Sequence, residues 1–253
     1  MNVGRAGRAA WAAAENPRRF LRTAARLPLE QQAASRIAAL PVVELADLTG
    51  DASEVVVRLP AARTRHAWSL GPCEQLSLQV LIRTRGCMTA FEIGTFDGDT
   101  TRLIAETLPD NGRVWTIDLP PARFDATQQP VGFVGEQVGS AYRDSPAAYK
   151  ITQLLGDSLR YDFGPYERFA DLVLVDGGHE YEHGLADSAT ALQLVRSGGI
   201  VLWDDFEPYW YGLIRGVCDA MAGRRLGRLA GTALAVYCED RPAGEARGLE
   251  ART

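Results

Sequence analysis

Between residues 89 and 205 the chain repeats one pattern: a short apolar run, closed by an acid or a glycine, then a stretch with helical periodicity. The closures are Glu92-Ile-Gly94, Asp118, Gly156-Asp157, Asp176-Gly-Gly and Asp204-Asp205. Continuous apolar runs belong to strands buried on both faces, and strands alternating with helices imply a parallel sheet covered on both sides. Strands are expected at Thr89–Ile93, Val114–Ile117, Ile151–Leu155, Leu172–Val175, Ile200–Trp203 and Ala233–Cys238. Helices are expected at about 73–85, Thr100–Leu108, Tyr181–Val195 and Tyr211–Ala222, with a short one near Ala141–Lys150. The expected architecture is α/β: a doubly wound, mostly parallel, seven-stranded sheet. Sheets of this kind bind ligands outside the carboxyl ends of their strands, where the acids and glycines fall.

A chain of 253 residues, 46% hydrophobic and 23% charged, suits one large domain with a small extension. We divide it into a mostly helical N-terminal extension (1–72), the α/β domain (73–240) and a tail (241–253). The extension reads as helices broken at Pro17 and Pro28, with a short strand at Glu54–Leu59. Such a segment covers an active-site rim or makes a dimer contact, which leaves room for a homo-oligomer. Net charge is −5, but residues 1–29 hold six arginines and one acid, so the remaining body carries −10 and argues against nucleic acid as a partner. The Ala- and Arg-rich start reads as a surface helix and lacks the apolar core of a secretory signal. No apolar run is long enough to span a membrane. Cys73, Cys87, Cys218 and Cys238 form no C-x-x-C pair and read as reduced, mostly buried thiols of a cytoplasmic protein.

The first strand leads into Glu92-Ile-Gly94-Thr95-Phe96-Asp97-Gly98-Asp99-Thr100. Two glycines four apart allow a tight turn and close approach of a ligand. Asp99 or Thr100 is placed to cap the following helix, whose free N–H groups attract an anion. A dinucleotide fingerprint would need glycine where Phe96 and Asp99 stand, which removes most support for NAD. Asp118, ending the second strand, suits a ribose diol and would repel a 2′-phosphate. Gly156-Asp157-Ser158 offers a polar turn that can reach an adenine edge.

Taken in order, E-x-G-x-x-x-G, an acid ending strand two, G-D-S after strand three and D-G-G-H after strand four resemble a class I S-adenosylmethionine-dependent methyltransferase over about residues 75–240. The resemblance implies a Rossmann-like fold. It implies that Gly94 and Gly98 line the methionine part of S-adenosylmethionine, with Thr95 and Thr100 near its carboxylate and Glu92 orienting the loop. Asp118 would hold the ribose, Asp157 and Ser158 would sit at the adenine, and Asp176 would border the same site.

Residues 179–183 also spell H-E-x-x-H. A zinc protease needs both histidines on one face of one helix, but Gly177-Gly178 disfavours helix at His179, so the match reads as coincidence. Asp176, Asp204 and Asp205 lie instead at neighbouring strand ends, and three carboxylates suit a hard cation such as Mg2+. Here the chain resembles catechol-type and, more closely, macrolide- and aminocoumarin-type sugar O-methyltransferases. In those, acids after strands four and five bind a divalent metal that holds the acceptor hydroxyls. The catechol type places a lysine base three residues beyond the first acid; the sugar type has histidine there, as this chain has His179. A metal-free arrangement stays open, because adjacent acids on a strand point to opposite faces. The expected reaction is methyl transfer to a hydroxyl of a small molecule, a sugar or natural-product intermediate, with His179 as base. His183 reads as packing or capping, and His66 as surface or rim. Phe133, Tyr142 and Arg143 of the insertion at 119–150, and Trp203, Phe206 and Tyr209-Trp210-Tyr211, are candidate acceptor contacts.

Overall fold

A computed structural model describes residues 17–50, 52, 54–57, 69–123 and 137–240. In chain order the elements are α1 (Pro17–Ala39), β1 (Val42–Val43), α2 (Leu45–Leu48), α3 (Pro72–Thr84), β2 (Thr89–Ile93), α4 (Asp99–Thr107), β3 (Arg113–Asp118), β4 (Ile151–Leu155), β5 (Ala170–Val175), α5 (Tyr181–Leu194), β6 (Val195–Trp203), α6 (Tyr211–Ala220), β7 (Gly227–Leu229) and β8 (Ala235–Cys238). They build one sheet in the order β1-β7-β8-β6-β5-β2-β3-β4. The run from β6 to β4 is parallel, and β8 is antiparallel to both β6 and β7. The doubly wound, Rossmann-like arrangement is present. It has eight strands rather than the seven expected: β7 lies outside the strand positions read from the sequence, and Val42–Val43 of the extension pairs with it in parallel.

Alternation along each strand divides the core in two. Phe91, Ile93, Val173, Val175, Val201 and Trp203 face α5, α6 and Ala33 of α1. Ala90, Leu172, Leu174, Ile200 and Leu202 face Leu78, Leu81 and Ile82 of α3 and Leu103 and Ile104 of α4. Every residue of β5 is buried, as the centre of a doubly covered sheet requires. Each such aliphatic side chain contributes about 1.5–3 kcal/mol relative to exposure, so the centre of the sheet is rigid and only the strand ends are free to carry chemistry.

Several local expectations change. Pro28 lies inside α1 rather than breaking it, and Pro17 starts that helix. A proline loses one backbone hydrogen bond, and the packing of α1 on α6 offsets that loss. Residues 54–57 are irregular, and the rest of the expected strand at 54–59 lies outside the described residues. The helix expected near 141–150 is a set of turns ending in a 3-10 helix at Ala148–Lys150. The cysteines are free, but only Cys87 is buried; Cys218 and Cys238 are half-buried and Cys73 is exposed. Among the described residues no helix is long and apolar enough to cross a membrane.

β2 followed by β3 and β4 builds one side of the sheet, and β5 followed by β6 builds the other. The order therefore reverses between β2 and β5, which opens a crevice at their carboxyl ends.

Candidate functional site

The floor of that crevice is main chain. Gly94 has φ +101°, and a Cβ there would stand 1.9 Å from the Asp176 carbonyl oxygen. Glycine alone lets the ends of β2 and β5 touch. Gly98 (φ +83°) begins α4, and a Cβ on it would stand 2.5 Å from the Tyr142 ring. The cap is not built as expected from Asp99 or Thr100. Gly98 occupies the cap position, and Asp97 Oδ1 accepts the Asp99 N–H at 3.0 Å. Thr100 lies half-buried in the first turn.

The acids on this side are engaged from within. Asp118 Oδ2 accepts the N–H groups of Thr95 (2.9 Å) and Phe96 (2.7 Å), and Oδ1 accepts that of Leu119 (2.7 Å). Burial still holds its carboxyl above the usual range, against these three bonds. A carboxylate has about four acceptor positions, so Asp118 keeps capacity for one ribose hydroxyl while it braces the glycine loop. Glu92 is fully buried and takes hydroxyl bonds from Thr101 and from Thr116 (2.6 Å). Burial pushes its pKa up to about 8, so it is neutral at pH 7. The network continues outward: Thr116 to Thr95 (2.7 Å), Thr95 to Gln153 (3.0 Å), and Gln153 Oε1 to the Tyr142 hydroxyl (2.5 Å). Tyr142 is thus a strut of the glycine loop, and Arg143 donates to the Val138 carbonyl (2.7 Å).

After β4, Asp157 Oδ1 accepts the Leu159 N–H (3.1 Å), and Asp157 pairs loosely with Arg123 and Arg160. Ser158 leans toward Asp187, a buried acid on α5 that the sequence reading missed. Neither Asp187 oxygen finds a donor in hydrogen-bond geometry. Burial pushes its pKa up to about 6, opposed by the Ser158 hydroxyl. Asp187 lies behind the Gly177 turn; a Cβ on Gly177 would stand 3.3 Å from its Oδ2. An acid on the inward face of a helix was the signal available.

On the other side of the crevice, one carboxylate oxygen each from Asp176, Asp204 and Asp205 lies within 4.8 Å of the others. Adjacent acids on a strand would diverge. They converge because β6 ends at Trp203 and Asp205 takes the left-handed conformation (φ +54°), which turns its side chain to the same side. Burial, then repulsion from Asp204 and Asp205, raises the Asp176 pKa well above the carboxylate range, and burial with Asp205 raises that of Asp204 to about 7. Carboxyl groups that resist ionisation in this way are ones whose charged forms a positive charge placed among them would stabilise.

His179 Nε2 lies 2.7 Å from Asp205 Oδ2, and its ring stacks on Trp210 at 3.9 Å and 17°. It precedes α5, while His183 lies in the first turn with its ring against Gly178. The H-E-x-x-H residues therefore do not share a helix face. Of the aromatic candidates, Trp203 is wholly buried and donates to Ser188 (2.9 Å), and Phe206 is buried too, so neither can stack on a ligand. Tyr209 is exposed and Trp210 is half-buried. His66 and Phe133 lie outside the described residues.

Residues 91–206, the span from β2 to the acid pair, match the family model described as a methyltransferase domain. The chain is 28% identical over 142 residues to tapetum-specific methyltransferase 1 of Arabidopsis thaliana, covering 56% of this chain and 55% of that protein. It is 24% identical over 170 residues to caffeoyl-CoA O-methyltransferase 1 of Nicotiana tabacum, covering 66% and 67%. The chain thus spans about half to two thirds of these relatives. Among solved structures it shares its fold with a Podospora anserina methyltransferase bound to S-adenosylhomocysteine (TM-score 0.52, 16% identity, 69% of this chain and 80% of that one). A similar match is an O-methyltransferase of Streptomyces achromogenes (TM-score 0.50, 21% identity, 68% and 82%).

Proposed function

We propose, on the premise that this chain belongs to the class I S-adenosylmethionine-dependent methyltransferases, that it moves the methyl group of S-adenosylmethionine onto a hydroxyl of a small molecule. The observation that carries this reading is the meeting, at one crevice, of a glycine loop braced by Asp118 and an acid cluster flanked by His179.

The residues fit both absent groups. The main chain from Gly94 to Gly98 would present itself to the methionine part, Asp118 keeps one free acceptor position for the ribose, and Asp157 and Ser158 would border the adenine. Asp176, Asp204 and Asp205 are oxygen donors whose raised pKa values a divalent cation such as Mg2+ would relieve. Bound there, the cation would act as a Lewis acid that lowers the acceptor hydroxyl's pKa.

The chain's own groups do the rest. Asp205 orients His179 through Nε2, and Trp210 fixes the ring plane. His179 takes the hydroxyl proton as the oxygen attacks the sulfonium methyl; the carbon–sulfur bond breaks and S-adenosylhomocysteine leaves. A sugar or natural-product hydroxyl is the acceptor class we favour, from histidine at position 179 and the exposed Tyr209 on the far side of Trp210.

One observation favours a second reading. The Asp205–His179 bond is an acid–base pair that needs no metal. Calorimetry with S-adenosylmethionine, and turnover with EDTA or with added Mg2+, tests both. Cofactor binding with Mg2+-dependent turnover supports the main reading, and EDTA-resistant turnover moves the assignment to the metal-free pair. Tight binding of NAD with none of S-adenosylmethionine overturns both.

A further inference from the structure

The N-terminal helix reaches the reacting end of the crevice through a continuous stack. Arg26, on α1, places its guanidinium 4.2 Å from the centre of the Tyr209 ring and within 5.6 Å of that of Tyr211. It also donates to the Tyr209 hydroxyl (3.4 Å) and carbonyl (3.2 Å). Tyr209 meets Trp210 edge to face at 4.7 Å and 82°, and Trp210 lies flat on His179. His179 ends the stack on Asp205. Tyr209 and Trp210 belong to a single turn of 3-10 helix, Pro208–Trp210, closed by one backbone hydrogen bond from the Trp210 N–H to the Glu207 carbonyl (3.0 Å). Behind His179 the backbone is already fixed: a Cβ on Gly212 of α6 would stand 2.9 Å from the His179 carbonyl oxygen. The ring's remaining freedom is rotation about its side-chain bonds, and Trp210 limits that rotation.

We propose that α1 sets the orientation of His179 through this stack, so that Arg26 and Tyr209 are positioning residues for methyl transfer. This rests on the reading of His179 as the base. Arg26 suits the task because a planar, permanently charged fork covers a tyrosine ring and grips two oxygens of the same residue at once. Its loss leaves the helix in place. Arg36 pairs with Asp219 at 3.2 Å, and Ala33 and Ile37 pack into the core. The Asp219 carboxylate also accepts from the Tyr181 hydroxyl (3.3 Å), so α1 holds the segment after His179 by a second, independent tie. Removing Arg26 therefore loosens the stack without undocking α1. The extension is in this way part of the reaction centre, although it lies outside the span matched by the methyltransferase family.

The test compares Arg26→Ala, Arg26→Lys, Tyr209→Phe and Tyr209→Ala in the full chain, each checked for folding by circular dichroism. Two readouts are taken. The first is the His179 Cε1–H resonance, one of three histidine signals in this chain and assigned by its loss in His179→Asn. A proton over an indole face is shielded, so in Arg26→Ala this resonance moves downfield while that of His183 stays. The second is turnover. Arg26→Ala lowers kcat by roughly 3- to 30-fold, the range for residues that act on a site through others, with KM for S-adenosylmethionine unchanged. Arg26→Lys, which keeps the cation but not the fork, recovers part of both. Arg26→Ala with Tyr209→Ala is no worse than Tyr209→Ala alone, because the two act in series. If Arg26→Ala does not fold, Arg26→Lys and Tyr209→Phe carry the same comparison. An unmoved His179 resonance in a folded Arg26→Ala protein overturns the proposal whatever turnover does. A moved resonance with unchanged turnover overturns the positioning role, and places the fault in the assignment of His179 as base rather than in the stack.

Discussion

The two sides of the crevice treat buried carboxylates in opposite ways. At the ends of β2 and β3, Glu92 receives two hydroxyls and Asp118 three main-chain N–H groups. At the ends of β5 and β6, no described residue donates to the Asp176 side chain, and Asp176 and Asp204 repel each other. Donors convert an acid into a structural brace. Their lack keeps an acid reactive toward charge, at a cost in stability that the rest of the fold must bear. The difference separates a side that is satisfied from within from a side suited, on the proposed function, to a cation and an acceptor.

The comparison breaks first at His179. His179→Ala is expected to lower turnover by on the order of 10²–10⁴-fold with S-adenosylmethionine affinity retained by calorimetry, because the cofactor side is self-contained. Loss of cofactor affinity in that variant would tie the two sides together and contradict the division. Next is the floor. Gly94→Ala must relieve contact with the Asp176 carbonyl and a φ of +101°, and should destabilise by roughly 3 kcal/mol or more in denaturant unfolding.

The acid cluster gives the third effect. Mg2+ at a hundred times its Kd should stabilise the wild type by about 2.7 kcal/mol, read as a rise in Tm, and Asp176→Asn should abolish the rise. The fourth concerns Asp187. Its folded pKa, about 6, exceeds the ordinary 3.8, so the folded state holds the proton more tightly. The stability this contributes is complete below about pH 4 and is lost as pH rises through about 6. Asp187→Asn should therefore raise stability by about 3 kcal/mol at pH 8 and by little at pH 4. An equal gain at both pH values would show that the effect is packing and not charge.

How much of this was legible follows from where the information lies. Strand ends are written in order along the chain, because an apolar run must stop where the sheet meets solvent; Asp118, Asp176 and Asp204 stood out for that reason. The convergence of Asp204 and Asp205 was not legible, since it depends on the left-handed backbone of Asp205, a conformation aspartate tolerates but does not announce. Gln153 was missed because an amide inside a strand carries no pattern. Asp187 was overlooked because one acid in an otherwise helical period does not disturb it. Pro28 misled because tertiary packing overrides the local cost of proline. The role of α1 was open because contacts between residues 26 and 209 leave no local trace.

The touch between Gly94 and the carbonyl of Asp176 also bears on how such a domain can be altered. That junction is between two backbones, so the spacing of glycine loop and acid cluster is a property of the sheet and does not drift when side chains around it are exchanged. Loops taken from a relative would arrive already in register with the glycine loop, provided the transplant begins beyond Gly177.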